Sequence, residues 1–152
     1  MARLDALAVK TAVASERPPM HPSQKLIHDF HVLQGRVYAG EADADAVAAL
    51  LTDDVIWHVP GHSAIAGEYR GREHVLEYFA RRRDKAQGSL RIQVRHTLAD
   101  DEFVMQLAGG SARFDGRPVA WETVGVYRIR EGKIGECWLL PFDQHAFDQI
   151  WS

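Results

Sequence analysis

The second half of the chain is a series of long alternating segments joined by short turns, and this pattern limits the possible folds more than any other feature. Apolar and polar residues alternate at 90–99 and 121–130, and further strands are predicted at 103–114 and 133–142, with the third strand starting at 119. Asp115-Gly116 and Glu131-Gly132 separate the last three segments, as is typical of β-hairpin turns. The pattern predicts a meander of long antiparallel strands that starts near Leu90.

Helical patterns occupy most of the first half. Leu26, Phe30, Leu33 and Val37 recur at helical spacing, and they predict a helix that is capped by Ser23 and ends near Gly40. Further helices are predicted at 44–51 and from 72 to about 85, with a turn at 52–54 and a strand at 55–59 between them. The tail from 143 is predicted to form a short helix or a turn.

This order of elements predicts one α+β domain in which the helices cover one face of a curved sheet. The chain has 152 residues, of which 46% are apolar, so it is long enough for a single core. Pro18-Pro19 resists regular structure, so residues 1–21 are expected to be a leader and residues 22–152 the domain.

Charge and cysteine content exclude several classes of function. The net charge of -3 provides no positive surface for nucleic acid or for an anionic membrane, so neither is expected as a partner. The basic cluster Arg81-Arg82-Arg83 is interpreted as a solvated helix end. Cys137 is the only cysteine, so no disulfide can form within the chain, and a cytoplasmic location is expected.

Alternation also sorts the strand faces. The set Trp121, Thr123, Gly125, Tyr127 and Ile129 is expected to face the helices. Val124 and Val126 then lie on the outer face, which favours a homodimer through that face over ordinary surface apolarity. In the strand at 55–59, His58 shares a face with Ile56. If Ile56 faces the helices, His58 lies at the rim or floor of a pocket.

Three segments carry a family resemblance: TDDVIWHVPG, AGEYRGREHVLEYFA and VYRIREGKIGECWLLPFDQHAFDQIWS. They resemble the SnoaL-like polyketide cyclase family of the nuclear transport factor 2-like superfamily, which also contains the ketosteroid isomerases. The resemblance covers roughly residues 24–152. It implies a cone of three helices and a strongly bent sheet around a pocket, commonly with a homodimer through the outer sheet face.

The resemblance also implies a site. The general base of the family corresponds to His58, and an imidazole accepts protons near neutral pH. The positions of the isomerase oxyanion donors correspond to Leu33 and Gly125, which have no donor side chain, so that mechanism is not expected here. Asp143 is a second catalytic candidate, as an acid or as the residue that orients His58. Its alternative role is to cap the terminal segment.

Further side chains are candidates for contact with a substrate, either as aromatic walls or as polar groups: Trp121, Tyr69, Phe30, Phe79, Gln106 and Thr123. Their alternative roles are core or dimer packing and hydrogen bonds to the backbone. The pairs His58/His62 and His28/His31 lack a third ligand, so no metal site is expected.

Together these features predict a cofactor-free acid/base enzyme of the isomerase, cyclase or lyase type. Its substrate would be small and apolar or polyketide-like, and His58 would accept the proton. The alternatives are a non-catalytic ligand-binding module and a structural homodimer of the same fold.

Overall fold

The computed structural model describes residues 18–152, so most of the expected leader lies outside the described residues. The elements in chain order are α1 (Pro22–Tyr38), α2 (Ala44–Ala48), β1 (Leu51–Val59), β2 (Gly67–Arg70), α3 (Arg72–Lys85), β3 (Arg91–Ala99), β4 (Phe103–Phe114), β5 (Arg117–Arg130), β6 (Lys133–Pro141) and α4 (Gln144–Ile150). The α+β prediction is confirmed, with helices in the first half and long strands in the second.

The strands form one open, curved sheet in the order β2-β1-β6-β5-β4-β3. β3 to β6 form the predicted antiparallel meander. Both residues of each hairpin turn have positive φ, for example +50° at Asp115 and +79° at Gly116. This is the geometry that a two-residue turn needs to match the twist of the flanking strands. β1 joins the meander by pairing in parallel with β6, the last strand, and β2 then forms the outer edge of the open sheet.

Three local predictions in the first half are wrong. α1 is capped by His21 rather than Ser23: the His21 side chain accepts a hydrogen bond from the Ser23 backbone N–H, and Pro22 occupies the first turn. α2 ends at Ala48, before the predicted limit. Residues 52–54 belong to β1 rather than to a turn, because Leu51 already pairs with Ile134 of β6.

α1 and α3 pack against the concave face of the sheet and form the core with it. Ile27 and Phe30 from α1, Val75 and Tyr78 from α3, and Trp57 from β1 are all at most 3% exposed. Most of the stabilisation of the fold comes from removing these apolar surfaces from water. No helix among residues 18–152 is long and apolar enough to cross a membrane.

Candidate functional site

A small cavity lies between the concave face of the sheet and helices α1 and α3, with a volume of about 50 Å³. One ordered water needs about 10–15 Å³ by this measure, so the cavity holds more than a single water. Its lining combines aromatic, aliphatic and polar side chains: Phe30, His31, Gln34, Trp57, Tyr78, Arg82, Ile92, Gln106, Ala108, Thr123, Gly125, Tyr127, Cys137 and Leu139. No Asp or Glu of residues 18–152 is part of that lining.

His58 does not face this cavity, so the expected orientation of β1 is wrong. Val55, Trp57 and Val59 form the buried face of the strand, and Ile56 and His58 lie on the outer face. The set with three apolar members is buried in preference to the set that contains a histidine, because burying Trp57 removes far more apolar surface from water.

On the outer face, His58 belongs to a small polar cluster. Its Nε2 lies 2.7 Å from Oε2 of Glu136, and its ring stacks on Trp138 with 5.3 Å between ring centroids. Glu136 also lies 3.9 Å from Arg128. The pairing of β1 with β6 creates this cluster, since His58 is opposite Trp138 and Ile56 is opposite Glu136 in the register.

His31 is the histidine that lines the cavity. It follows Ile27 by four residues on α1, which turns it toward the sheet. Its Nε2 lies 2.8 Å from Oε1 of Gln106, and Nε2 of Gln106 donates to Oγ1 of Thr97. In this arrangement Nε2 of His31 carries the proton and donates, so Nδ1 has the free lone pair. Burial lowers the pKa of His31 below its ordinary value, which keeps the ring neutral near pH 7.

Tyr127 brings a hydroxyl to the position where the sequence suggests no donor. A Cβ added to Gly125 would lie 3.1 Å from the Tyr127 hydroxyl oxygen, so the missing side chain of Gly125 makes room for that group. Burial raises the pKa of Tyr127 well above its ordinary value, so the hydroxyl stays protonated and can donate.

Arg82 and Tyr78 contribute a charge and a further hydroxyl from α3. Arg82 follows Tyr78 by four residues and Phe79 by three, which places it on the buried face of the helix. Its guanidinium lies 5.3 Å from the centre of the Tyr78 ring. The interpretation of Arg81-Arg82-Arg83 as an entirely solvated helix end is therefore wrong for Arg82, although Arg81 is exposed.

Burial keeps the tyrosine hydroxyl of Tyr78 and the thiol of Cys137 neutral, whereas Arg82 stays charged. Burial raises the pKa of Tyr78 and of the Cys137 thiol, so both retain their protons near pH 7. Burial acts to lower the pKa of Arg82, but its net shift is upward, so the guanidinium stays charged near pH 7. The cavity thus combines one permanent cation, a neutral imidazole and protonated hydroxyls.

Three of the six predicted substrate contacts line the cavity. Phe30 contributes aromatic surface from α1, and Gln106 and Thr123 contribute buried polar groups from the sheet. Phe79 does not line the cavity. It packs edge-on against Trp57, which does, with 5.0 Å between ring centroids. Whether any of these residues contacts a substrate stays a prediction.

The remaining predicted site residues lie elsewhere. Trp121 does face inward, but it packs against Trp151 beside α4, with 5.2 Å between ring centroids. The Tyr69 hydroxyl donates to the carbonyl oxygen of Ile65 and not into the cavity. Asp143 caps α4, where its side chain accepts a hydrogen bond from the Ala146 backbone N–H at 3.0 Å.

The residues that the sequence interpretation missed have recognisable signals. Tyr127 is on the strand face that was expected to point inward, and Arg82 continues the Tyr78-Phe79 stripe of α3 by helical spacing. His31 is beside Phe30 on an amphipathic helix. In the part of the chain that the structure describes, no three His, Cys, Asp or Glu side chains are grouped so that they could hold a metal ion.

A comparison with known protein families gives one match. Residues 36–137 match the family described as SnoaL-like domain. The chain belongs to the SnoaL-like domain family. The resemblance noted from the sequence is thereby confirmed. No curated protein matches the sequence of this SnoaL-like chain.

Several solved structures share the fold of the SnoaL-like chain. Bal32a, from a soil-derived mobile gene cassette, is 22% identical with a TM-score of 0.78, and the match covers 86% of this chain and 97% of Bal32a. An NTF2-like protein from Burkholderia xenovorans is 20% identical with a TM-score of 0.69, over 86% of this chain and 96% of that protein. TerC, crystallised with polyporic acid, is 20% identical with a TM-score of 0.67, over 85% of this chain and 97% of TerC. The nuclear transport factor 2-like cone is therefore the fold of this protein.

Proposed function

We propose that this SnoaL-like protein is an acid/base enzyme of the isomerase, cyclase or lyase type that uses its own side chains to move a proton on a small, mostly apolar molecule. The observation that carries the proposal is His31, a neutral imidazole held by Gln106 at the wall of a largely apolar cavity. A base that is unprotonated near pH 7 accepts a proton there without first losing one.

The proton acceptor in this proposal is His31, and the role first predicted for His58 passes to it. His58 is on the opposite face of the sheet and hydrogen-bonds to Glu136, so a molecule in the cavity does not meet it. His31 lines the cavity and has a partner, Gln106, that orients its ring. Tyr127, which is protonated, would donate a hydrogen bond to an oxygen that gains negative charge as the proton leaves carbon.

The cavity size indicates a small molecule or a small reacting end of a larger one. An open groove of about 460 Å³ shares His31, Ile92 and Gln106 with the cavity, so a longer apolar tail could extend outward from it. TerC, which has the same fold, was crystallised with polyporic acid. The open groove is compatible with a polyketide-like substrate.

Proton exchange on a simple ketone tests the acid/base function. Protein in D₂O is incubated with 2-pentanone, and loss of the C3 proton signal is followed by NMR. We expect the wild type to accelerate exchange and His31→Gln to slow the enzymatic rate by about 10²–10⁴-fold, the usual contribution of a positioned base. His58→Gln is the matched control, because it makes the same change on the opposite face of the sheet.

Each outcome has a defined meaning. If His58→Gln abolishes exchange and His31→Gln does not, the base is His58 and the proposal is wrong. If the wild type binds small ketones without exchange, the protein is a ligand-binding module. If it neither binds nor exchanges them, the acid/base proposal is refuted.

We also propose that the protein is a homodimer through the outer face of the sheet. Leu98 is 74% exposed there, Met105 45% and Leu140 48%, and Val124 and Val126 lie between them in the register. An apolar surface of this kind is unusual on a protein that remains monomeric. Sedimentation velocity should give a dimer for the wild type and a monomer for Met105→Glu; a monomeric wild type would refute the proposal.

A further inference from the structure

We propose that Arg82 and Tyr78 form a carboxylate-binding site inside the cavity, so that the molecule held there is a small organic acid. The inference rests on the proposed function in one respect, namely that the cavity is the ligand site. The inference adds that the ligand is negatively charged, and it assigns the recognition of that charge to two residues of α3.

The first argument is that Arg82 lacks a counter-charge. Among residues 18–152 its guanidinium has no carboxylate partner and no hydrogen bond to another residue. Its neighbour Arg83 pairs with Asp84, and Arg95, Arg128 and Arg130 of the sheet pair with Asp or Glu. Arg82 is only partly buried, but its charge is not compensated by any carboxylate of the described residues. A ligand carboxylate would provide the missing charge and match the planar donor edge of the guanidinium.

The second argument is independent and concerns the Tyr78 hydroxyl. Tyr78 is 0% exposed, and its oxygen has no hydrogen-bond partner among the described residues. Such a group is costly to bury, and native proteins rarely retain one without a purpose. The Tyr78 ring lines the cavity and the Arg82 guanidinium lies 5.3 Å from the centre of that ring, so the two residues are neighbours in the cavity wall.

The third argument is the composition of the remaining wall. No Asp or Glu from the described residues lines the cavity, and the thiol of Cys137 and the hydroxyl of Tyr127 are protonated near pH 7. The local charge is therefore that of Arg82 alone. At a partly buried position, one uncompensated cation favours an anion over a neutral molecule of equal size.

A matched pair of small probes tests the site. Butyrate and butyramide have nearly the same shape and differ in charge, and their binding is measured by NMR titration of the ¹⁵N-labelled protein. We expect butyrate to bind at least about tenfold more tightly than butyramide, which corresponds to about 1.4 kcal/mol. Arg82→Gln should abolish this preference, and Tyr78→Phe should reduce it about threefold or more.

Arg81→Gln is the matched control, because it removes the same charge one residue away at an exposed position. It should leave the preference intact. Arg82→Lys keeps the positive charge and should retain part of the preference, and the dispersion of the ¹⁵N spectrum of Arg82→Gln shows whether that variant is folded. Equal affinity of the wild type for the two probes, or equal losses in Arg81→Gln and Arg82→Gln, would overturn the inference.

The acid/base proposal can fail separately. 2-Pentanone has no carboxylate, so its proton exchange tests His31, whereas the preference for butyrate tests Arg82 and Tyr78. A protein that prefers butyrate but does not exchange 2-pentanone protons would keep the carboxylate site and lose the proposed activity. The reverse result would keep the activity and lose the site.

Discussion

Replacing Tyr78 with Phe should stabilise the unliganded protein, although the residue is completely buried. The Tyr78 hydroxyl has no partner among residues 18–152, and removing it relieves a desolvation cost of about 1–3 kcal/mol. The ring itself, which stacks on Tyr69 with 4.7 Å between centroids, is retained in Phe. The lost oxygen enlarges the cavity by roughly 10–15 Å³, which costs only about 0.2–0.4 kcal/mol.

The net expectation is a gain of about 1–2 kcal/mol in the free energy of unfolding. For a chain of this length, that gain raises Tm by about 2–8 °C. The assay is equilibrium unfolding in urea at one fixed protein concentration, because association would otherwise contribute to the apparent stability. The slope m should not change, since the surface exposed on unfolding is nearly the same.

Tyr38→Phe is the matched control and should have the opposite sign. The Tyr38 hydroxyl accepts a hydrogen bond from Nε2 of Gln34 at 2.9 Å in a buried position. Its removal loses that bond and leaves Gln34 without a partner, at a cost of about 1–2 kcal/mol. A Tyr78→Phe variant that is less stable than the wild type by 1 kcal/mol or more would show that the Tyr78 hydroxyl is satisfied in the folded protein.

Three further predictions concern other parts of the structure. Asp143→Ala should lower the free energy of unfolding by about 1 kcal/mol in urea, because it removes the cap of α4 at the Ala146 N–H; an unchanged midpoint would contradict this role. Gly110→Ala should destabilise the protein by about 1–3 kcal/mol in the same assay, since the new Cβ would lie 2.2 Å from the Trp121 ring; a neutral effect would show that the ring moves aside easily. The third prediction is a pH dependence. Burial lowers the pKa of His31 in the folded state, so below about pH 6.5 the unfolded chain binds more protons and the free energy of unfolding falls as pH decreases. His31→Gln should make that fall shallower between about pH 7 and 5, and an identical pH profile would refute the assignment.

The sheet could be predicted well because its signals are local. Alternation and the turns Asp115-Gly116 and Glu131-Gly132 lie within the meander itself, and they lead directly to β4, β5 and β6. The short β2 was missed, because four residues of low apolar content become a strand only by pairing with β1. Its existence depends on a neighbouring strand rather than on its own sequence.

The site was harder to predict, because each of its residues depends on which face is buried. Alternation divides the residues of β1 into two sets but does not indicate which set is buried. The prediction placed Ile56, and with it His58, on the buried face, which is wrong. Arg82 was grouped with Arg81 and Arg83 by adjacency, although helical geometry separates them on the surface of α3. A charged residue in the buried stripe of a helix indicates a ligand site more clearly than a run of adjacent charged residues in the sequence does.

Because β1 pairs in parallel with β6, β1 is synthesised well before the strand that it pairs with. His58 and Glu136 are 78 residues apart in the chain, yet they are neighbours in the sheet. At ribosomal rates of about 5–20 residues per second, β6 emerges roughly 4–16 s after β1. During that interval, the strand that carries Trp57 has no partner on its β6 side, and the wall of the cavity is incomplete. Contacts so distant in sequence slow folding, and until β6 is made the unpaired edge of β1 can pair with a wrong strand.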